Sequence, residues 1–457
     1  MIDFGLNLMV YHDITPYTPF NVTLSHIHSS ERIVVRSNRS KQSEAAIASA
    51  LAVVKINTIF EIREGMGALS DVRVVDLTQV LAGPYCTMLL ADMGADVVKV
   101  ERPGGDLIRS SPPYLVDPDE EPYGGYFQSV NRGKRSIELD LADDADRDTF
   151  LELVEIADVV VENYRAGTME SFDLEYERLV ERNPALIYAS IRGFGDPRTG
   201  ETERQGQPSF DIIAQALGGV MEITGEADGP PMKVGPGIGD LFTATLNCVG
   251  ILGALHHRER TGEGQYVDTA MYDSMLSMTE RAIYLQSYEG QPPNRRGNAH
   301  PTLFPYNAFE VADGYAVVSA FGTNHWRALC EGIDRPDLAD EYPRPADRLA
   351  SREEIHAELA DWMADHAIDD VLDRLHGEVP VAPVQDTEAI FDDPHVHDRE
   401  MLHEVEQPGT DETVAIAGSA IKMTETSSEP SGRAPLLDEH REEILAELAA
   451  QDQAIRE

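Results

Sequence analysis

The stretch "VRVVDLTQVLAGPYCTMLLADMGADVVKVERPGGD", residues 72–106, sets the architecture of everything that follows it. Residues 72–77 are a β-branched run and predict a strand. Residues 82–95 space their apolar side chains with a helical period, and residues 96–101 return to a strand pattern. Strand, helix and strand in about 30 residues make a βαβ unit, and strands joined by such a crossover run parallel.

Working outward, the alternation continues. A helix over 144–156 leads to a strand at 158–163, and one over 175–182 leads to a strand within 185–195. Residues 209–225 read as helical up to their glycines, 240–262 as a long helix ended by Gly262, and 265–278 as strand into helix. Loop residues dominate 285–300. A strand at 315–320, helices at 324–332, 352–365 and 368–376, and a short extended piece at 379–384 follow. A strand at 413–418 and an amphipathic terminal helix complete the pattern. The expected class is α/β, with a parallel sheet and a smaller α+β part late in the chain.

Of the 457 residues, 81 are acidic and 37 basic, a net charge of −44, and only six are lysine. So acidic a surface repels nucleic acid and anionic membranes, and neither is an expected partner. It resembles salt-adapted proteomes, where molar salt shortens the Debye length to roughly 3 Å and mutes self-repulsion. An acidic tail is the alternative, but the acids are spread among periodic segments. No uninterrupted apolar run reaches the ~18 residues of a membrane span. Three scattered cysteines, Cys86, Cys248 and Cys330, fit a reducing, cytoplasmic setting. Residues 1–65 carry six acids and six bases, so the whole excess lies beyond them. Met66 reads as a natural start, and 1–65 as an extension or dispensable arm; a docking N-terminal helix is the competing reading.

The first βα turn lacks G-x-G-x-x-G, which argues against a dinucleotide. Arg102 and Arg109, then Arg132, Lys134 and Arg135, then Arg165 form basic segments on what read as successive βα connections. In a chain so poor in cations they suggest a phosphate-bearing ligand, with ion pairing as the alternative for each. Asp240 follows "GPGIG" and stands before a long apolar run. It suits an N-cap. The cap is the default for an isolated acid there, and the same location permits a carboxylate nucleophile, since a helix N-terminus favours the ionised form and flanking glycines admit a substrate carbonyl. His395, His397 and His403 have no cysteine or H-E-x-x-H partner, and no metal is expected.

Taken with "NRGKRSIELDL", "ADVVVENYRAG", "SFDIIAQALGGVMEITG", "GIGDLFTATLNCVGILGALHHRERTGEGQYVD", "RRGNAHPTLFPYNAF" and "VPVAPV", the opening stretch resembles the class III CoA-transferase family, also called CaiB/BaiF. The resemblance runs from about residue 68 to the C-terminus. It implies a Rossmann-like large domain formed by both chain ends (66–285 and 391–457), a small domain at 286–390, and an interlocked homodimer. It implies that Asp240 is the catalytic aspartate, passing CoA from an acyl-CoA donor to a carboxylic acid acceptor through covalent aspartyl intermediates. The coenzyme A thioester is then a substrate, and no cofactor is permanently bound. By family position Arg102, Asn163, Tyr164 and Arg165 lie along the nucleotide, and Val80, Leu81 and Ala82 line the channel toward Asp240. Leu81 replaces the glutamine of formyl-CoA:oxalate transferases, which argues against oxalate. The related racemases place a histidine before the aspartate of "SFDII", where this chain has Phe210, so racemase or isomerase ranks second and a non-catalytic acyl-CoA-binding protein third. Succinyl-CoA as donor and a small dicarboxylate such as mesaconate as acceptor is the substrate expectation.

Overall fold

A computed structural model describes residues 67–116 and 123–456. The reading of residues 1–65 lies outside the described residues. Six strands, β1 (Arg73–Asp76), β2 (Asp96–Glu101), β3 (Arg135–Glu138), β4 (Val159–Glu162), β5 (Ile187–Arg192) and β6 (Tyr266–Ala270), form one sheet in the order β3-β2-β1-β4-β5-β6, and every pairing is parallel. Around it lie helices α1 (Ala82–Asp92), α2 (Gly125–Asn131), α3 (Asp144–Ile156), α4 (Asp211–Leu217), α5 (Ile238–Thr261), α6 (Met271–Met278), α7 (Glu280–Glu289) and α8 (Arg441–Arg456).

The valine runs exist because the sheet is covered on both faces, so alternation with polar residues is not required. Val74, Val97, Val159 and Val161 face α1 and α5, where Cys86, Leu90, Ala244 and Ile251 meet them. Val75, Val98 and Val160 face the other way, toward Phe150 and Leu153 of α3 and Ile444 and Leu448 of α8. By length and composition α5 could cross a membrane, although no single apolar run in the sequence is long enough. Here it is a core helix. Ala244, Cys248, Ile251 and Leu255, at helical spacing, are buried on one side, and Val249 opposite is 60% exposed.

A second sheet, β7 (Tyr306–Val311), β8 (Gly314–Ser319) and β9 (Val381–Pro383), is antiparallel and packs its own core of Phe309, Val318, Trp326, Ile355, Leu359 and Val371. A hairpin of β10 (Leu402–Glu406) and β11 (Thr413–Ala417) follows. Sequence periodicity misses β3, whose "RSIE" is charged at both ends because it is an edge strand. It also misses β7, β10 and α2. The loop expected over 285–300 begins later, because α7 continues to Glu289 and ends on Gly290 in a left-handed cap.

The strand order reverses between β1 and β4. The crevice outside their carboxyl ends is the topological switch point, where open α/β sheets take their ligands.

Candidate active site

The turn after β1 carries Val80, Leu81 and Ala82. Val80 has φ of +68°, a genuine outlier for a β-branched residue, which costs of order 1–3 kcal/mol and persists only where its surroundings enforce it. They do. Asn163, just after β4, accepts from Gln79 N–H at 2.9 Å and donates to the Gln79 carbonyl at 2.8 Å. Asp106 accepts from Val80 N–H at 3.2 Å, and Lys99 Nζ donates to the Thr78 carbonyl at 2.8 Å and to Asp106 at 3.1 Å. Lys99 is fully buried; burial works against its charge, but Asp106, Asp76 and Glu101 outweigh it and hold the ammonium above its ordinary range. Lys134 meets Asp76 at 2.9 Å beneath the same turn. Burial pulls that ammonium down to about 8, with Asp76 resisting. Gly83 lets the turn close, since a Cβ there would sit 2.3 Å from the Thr78 Cβ. Leu81 then stands at the N-cap position of α1, with Ala82 buried as its first residue.

Most of the basic segments turn out to be paired. Arg109 binds Glu101 at 2.6 Å, Arg132 binds Asp92 at 2.6 Å, and Arg135 binds Asp96 at 2.7 Å and Glu447 at 2.8 Å. With Lys134 on Asp76, these four serve ion pairs; Arg132 and Lys134 moreover lead into β3 instead of following a strand. Buried guanidinium and ammonium groups need such partners. Arg102 and Arg165 differ. Both are exposed on connections beyond the carboxyl ends of β2 and β4. Arg102 makes one weak bond, to the Gly105 carbonyl at 3.3 Å, and the Arg165 side chain makes none with the described residues. Between them Tyr164 is half-buried, its phenol pushed up by burial and by Glu162.

Asp240 is not an N-cap. Helix α5 starts at Ile238 with Gly237 in the cap position, and Asp240 is its third residue. The capping acceptor comes from elsewhere: Asp211, first residue of α4, takes the Gly239 N–H at 2.8 Å. The Asp240 carboxyl is thereby left without a hydrogen bond from the described residues. Half-buried, it is pushed up to about 7, first by burial and then by the charge of Asp211. A Cβ on Gly237 would touch Leu81 Cδ2 at 3.3 Å, so the turn before α1 and the mouth of α5 are in contact. Tyr126 of α2 completes the surround; burial, then Asp240, Asp106 and Asp211, raise its phenol. Asp211 and Tyr126 escape sequence reasoning as site members. Asp211 had a visible signal, an acid opening a helix in "SFDII"; Tyr126 had none, since α2 itself went unseen.

The glycine-lined mouth bearing a desolvated carboxylate, beside a switch-point crevice edged by two exposed arginines, suits covalent acyl transfer from a phosphorylated carrier. The sequence profile of CoA-transferase family III matches residues 69–441, and the chain belongs to that family. It is similar to the succinyl-CoA:mesaconate CoA-transferase of Haloarcula hispanica, with 71% identity over 382 residues, 84% of this chain and 96% of that one. The acetyl-CoA:oxalate CoA-transferase of Acetobacter aceti is 38% identical over 391 residues, 84% of this chain and 96% of that one. Among solved structures, a CAIB/BAIF family protein from Brucella suis superposes with a TM-score of 0.76 at 34% identity, covering 84% of this chain and all of the other.

Proposed function

We propose that this CoA-transferase moves CoA from succinyl-CoA to mesaconate, with Asp240 as its covalent nucleophile. The observation that carries the substrate pair is the 71% identity to a haloarchaeal enzyme of that name over nearly its whole length. The Asp240 carboxylate attacks the thioester carbonyl, the C–S bond breaks, and a succinyl–aspartyl anhydride and CoA thiolate result. The thiolate attacks the aspartyl carbonyl and expels succinate, leaving an aspartyl-CoA thioester. The mesaconate carboxylate attacks that thioester, and the thiolate released then attacks the mesaconyl carbonyl of the new anhydride. Mesaconyl-CoA leaves and Asp240 is regenerated. No water enters the balance, and its exclusion protects both anhydrides. Arg102 and Arg165 meet CoA phosphates, with Asn163 and Tyr164 between them, and Val80, Leu81 and Ala82 wall the channel to Asp240.

The same reading places a large domain at 66–285 and 391–457, a small one at 286–390, and a homodimer in the cytoplasm of a salt-adapted cell. Apolar side chains left open support the dimer: Tyr288 is 88% exposed, Ile283 50%, and α7 buries no residue. In molar KCl, succinyl-CoA and a panel of free acids should give mesaconyl-CoA as the main new thioester. Hydroxylamine should trap a modified peptide containing Asp240. No new thioester with any acid, or trapping on a different peptide, overturns the proposal.

A further inference from the structure

The turn that delivers Asp240, residues 234–239, holds three glycines and a proline and would be loose in isolation. One buried side chain fastens both its ends. Gln215 of α4 has no exposed surface. Its Oε1 accepts from Val234 N–H at 2.9 Å, where the turn begins. Its Nε2 donates to both Asp211 oxygens at 2.9 Å, and Asp211 Oδ1 accepts from Gly239 N–H at 2.8 Å, where the turn ends. The fit is tight, since a Cβ on Gly239 would lie 2.9 Å from the Asp211 carbonyl oxygen.

We propose that Gln215 and Asp211 are positioning residues for the transfer reaction, a clamp that fixes the Val234–Gly239 turn and sets a second carboxyl group beside Asp240. This rests on Asp240 being the nucleophile. The clamp divides two jobs. Gln215 supplies geometry alone. Asp211 supplies geometry and charge, and its charge makes Asp240 harder to ionise and so more basic once ionised. Among the described residues the other titratable or charged groups near this end of α5 are few, and Asp106, which acts on the same Tyr126 phenol, is one of them. Tyr126 faces Asp240 from α2, and Tyr85 of α1 packs on the same core. Asp273 of α6 is raised by burial first and then by Asp268. Lys233 turns its ammonium onto the carbonyls of Val234 and Gly235.

The test is the pH dependence of single-turnover CoA-adduct formation on the Asp240 peptide, with succinyl-CoA and no acceptor, in the full chain in molar KCl. The wild-type adduct should show an acidic limb near neutrality. Asp211→Asn keeps an acceptor for Gly239 N–H but removes the charge. Its limb should move to lower pH by about one unit while its plateau stays within about threefold. Gln215→Met should leave the limb in place and lower the plateau by about tenfold or more. Thermal unfolding of each variant reports folding; if Gln215→Met does not fold, the limb of Asp211→Asn decides the matter. An unmoved limb in Asp211→Asn, or an undiminished plateau in folded Gln215→Met, overturns the clamp. Absence of any wild-type adduct on this peptide overturns the nucleophile instead.

Discussion

Asp240 holds its proton more tightly in the folded protein than in an open chain. Burial and Asp211 raise its folded-state value to about 7, against 3.8 for a free side chain. The folded state therefore binds the extra proton between those two values, and stability falls as pH rises through that window. Above neutrality the ionised carboxyl, the form that attacks in the proposed mechanism, burdens the fold. Asp240→Asn should lower turnover by at least about a thousandfold, because no amide replaces the nucleophile. The same variant should unfold at higher temperature than wild type at pH 8, by about 1–3 kcal/mol of stability, with the advantage vanishing near pH 4. Calorimetry at the two pH values checks this; equal stability at both would mean that the side chain is solvated in the folded state.

Between β1 and α1 the decisive feature is the left-handed Val80, enforced by Asn163, Asp106 and Lys99. Lys99 and Asp106 are both buried, so removing one partner strands the other. Lys99→Met should cost about 3–5 kcal/mol, visible as a large drop in the chemical denaturation midpoint in molar salt. A loss under 1 kcal/mol would mean that water reaches Asp106. The strands and helices around this turn are legible in the sequence, because valine runs and helical spacing report burial directly: β2 and α3 lie where periodicity puts them. The turn's constraint is not legible, since nothing about "TQV" announces a positive φ imposed by residues 26 and 83 positions away. The site divides in the same way. Asp240 stands out in the sequence through its glycines and Arg102 through its neighbours, and both are proposed site members. Arg109, Arg132, Lys134 and Arg135 mislead because a charge's partner is a tertiary fact. Gln215 and Asp211 act through backbone amides that no motif encodes.

Across the whole molecule the net charge of −44 is the dominant long-range force. Its self-repulsion reaches about 10 Å in 0.1 M salt and about 3 Å in 1 M. The unfolding temperature should rise by roughly 10 °C or more between about 0.1 M and 2 M KCl, and light scattering at the higher concentration should give the mass of a dimer. A flat salt response would detach the acidity from folding, and a monomer would leave α7 unexplained. Buried pairs such as Lys99–Asp106 contribute little to that response, because ions reach only the exterior.

A Cβ added at Gly237 would lie 3.3 Å from Leu81 Cδ2, which gives anyone redesigning this catalyst a one-sided lever. A side chain at 237 makes the Leu81 methyl give way by a few tenths of an ångström. Trimming leucine to alanine at 81 removes the atom that stands closest to that glycine, so under the proposed channel a wider set of acids should be tried on that variant first.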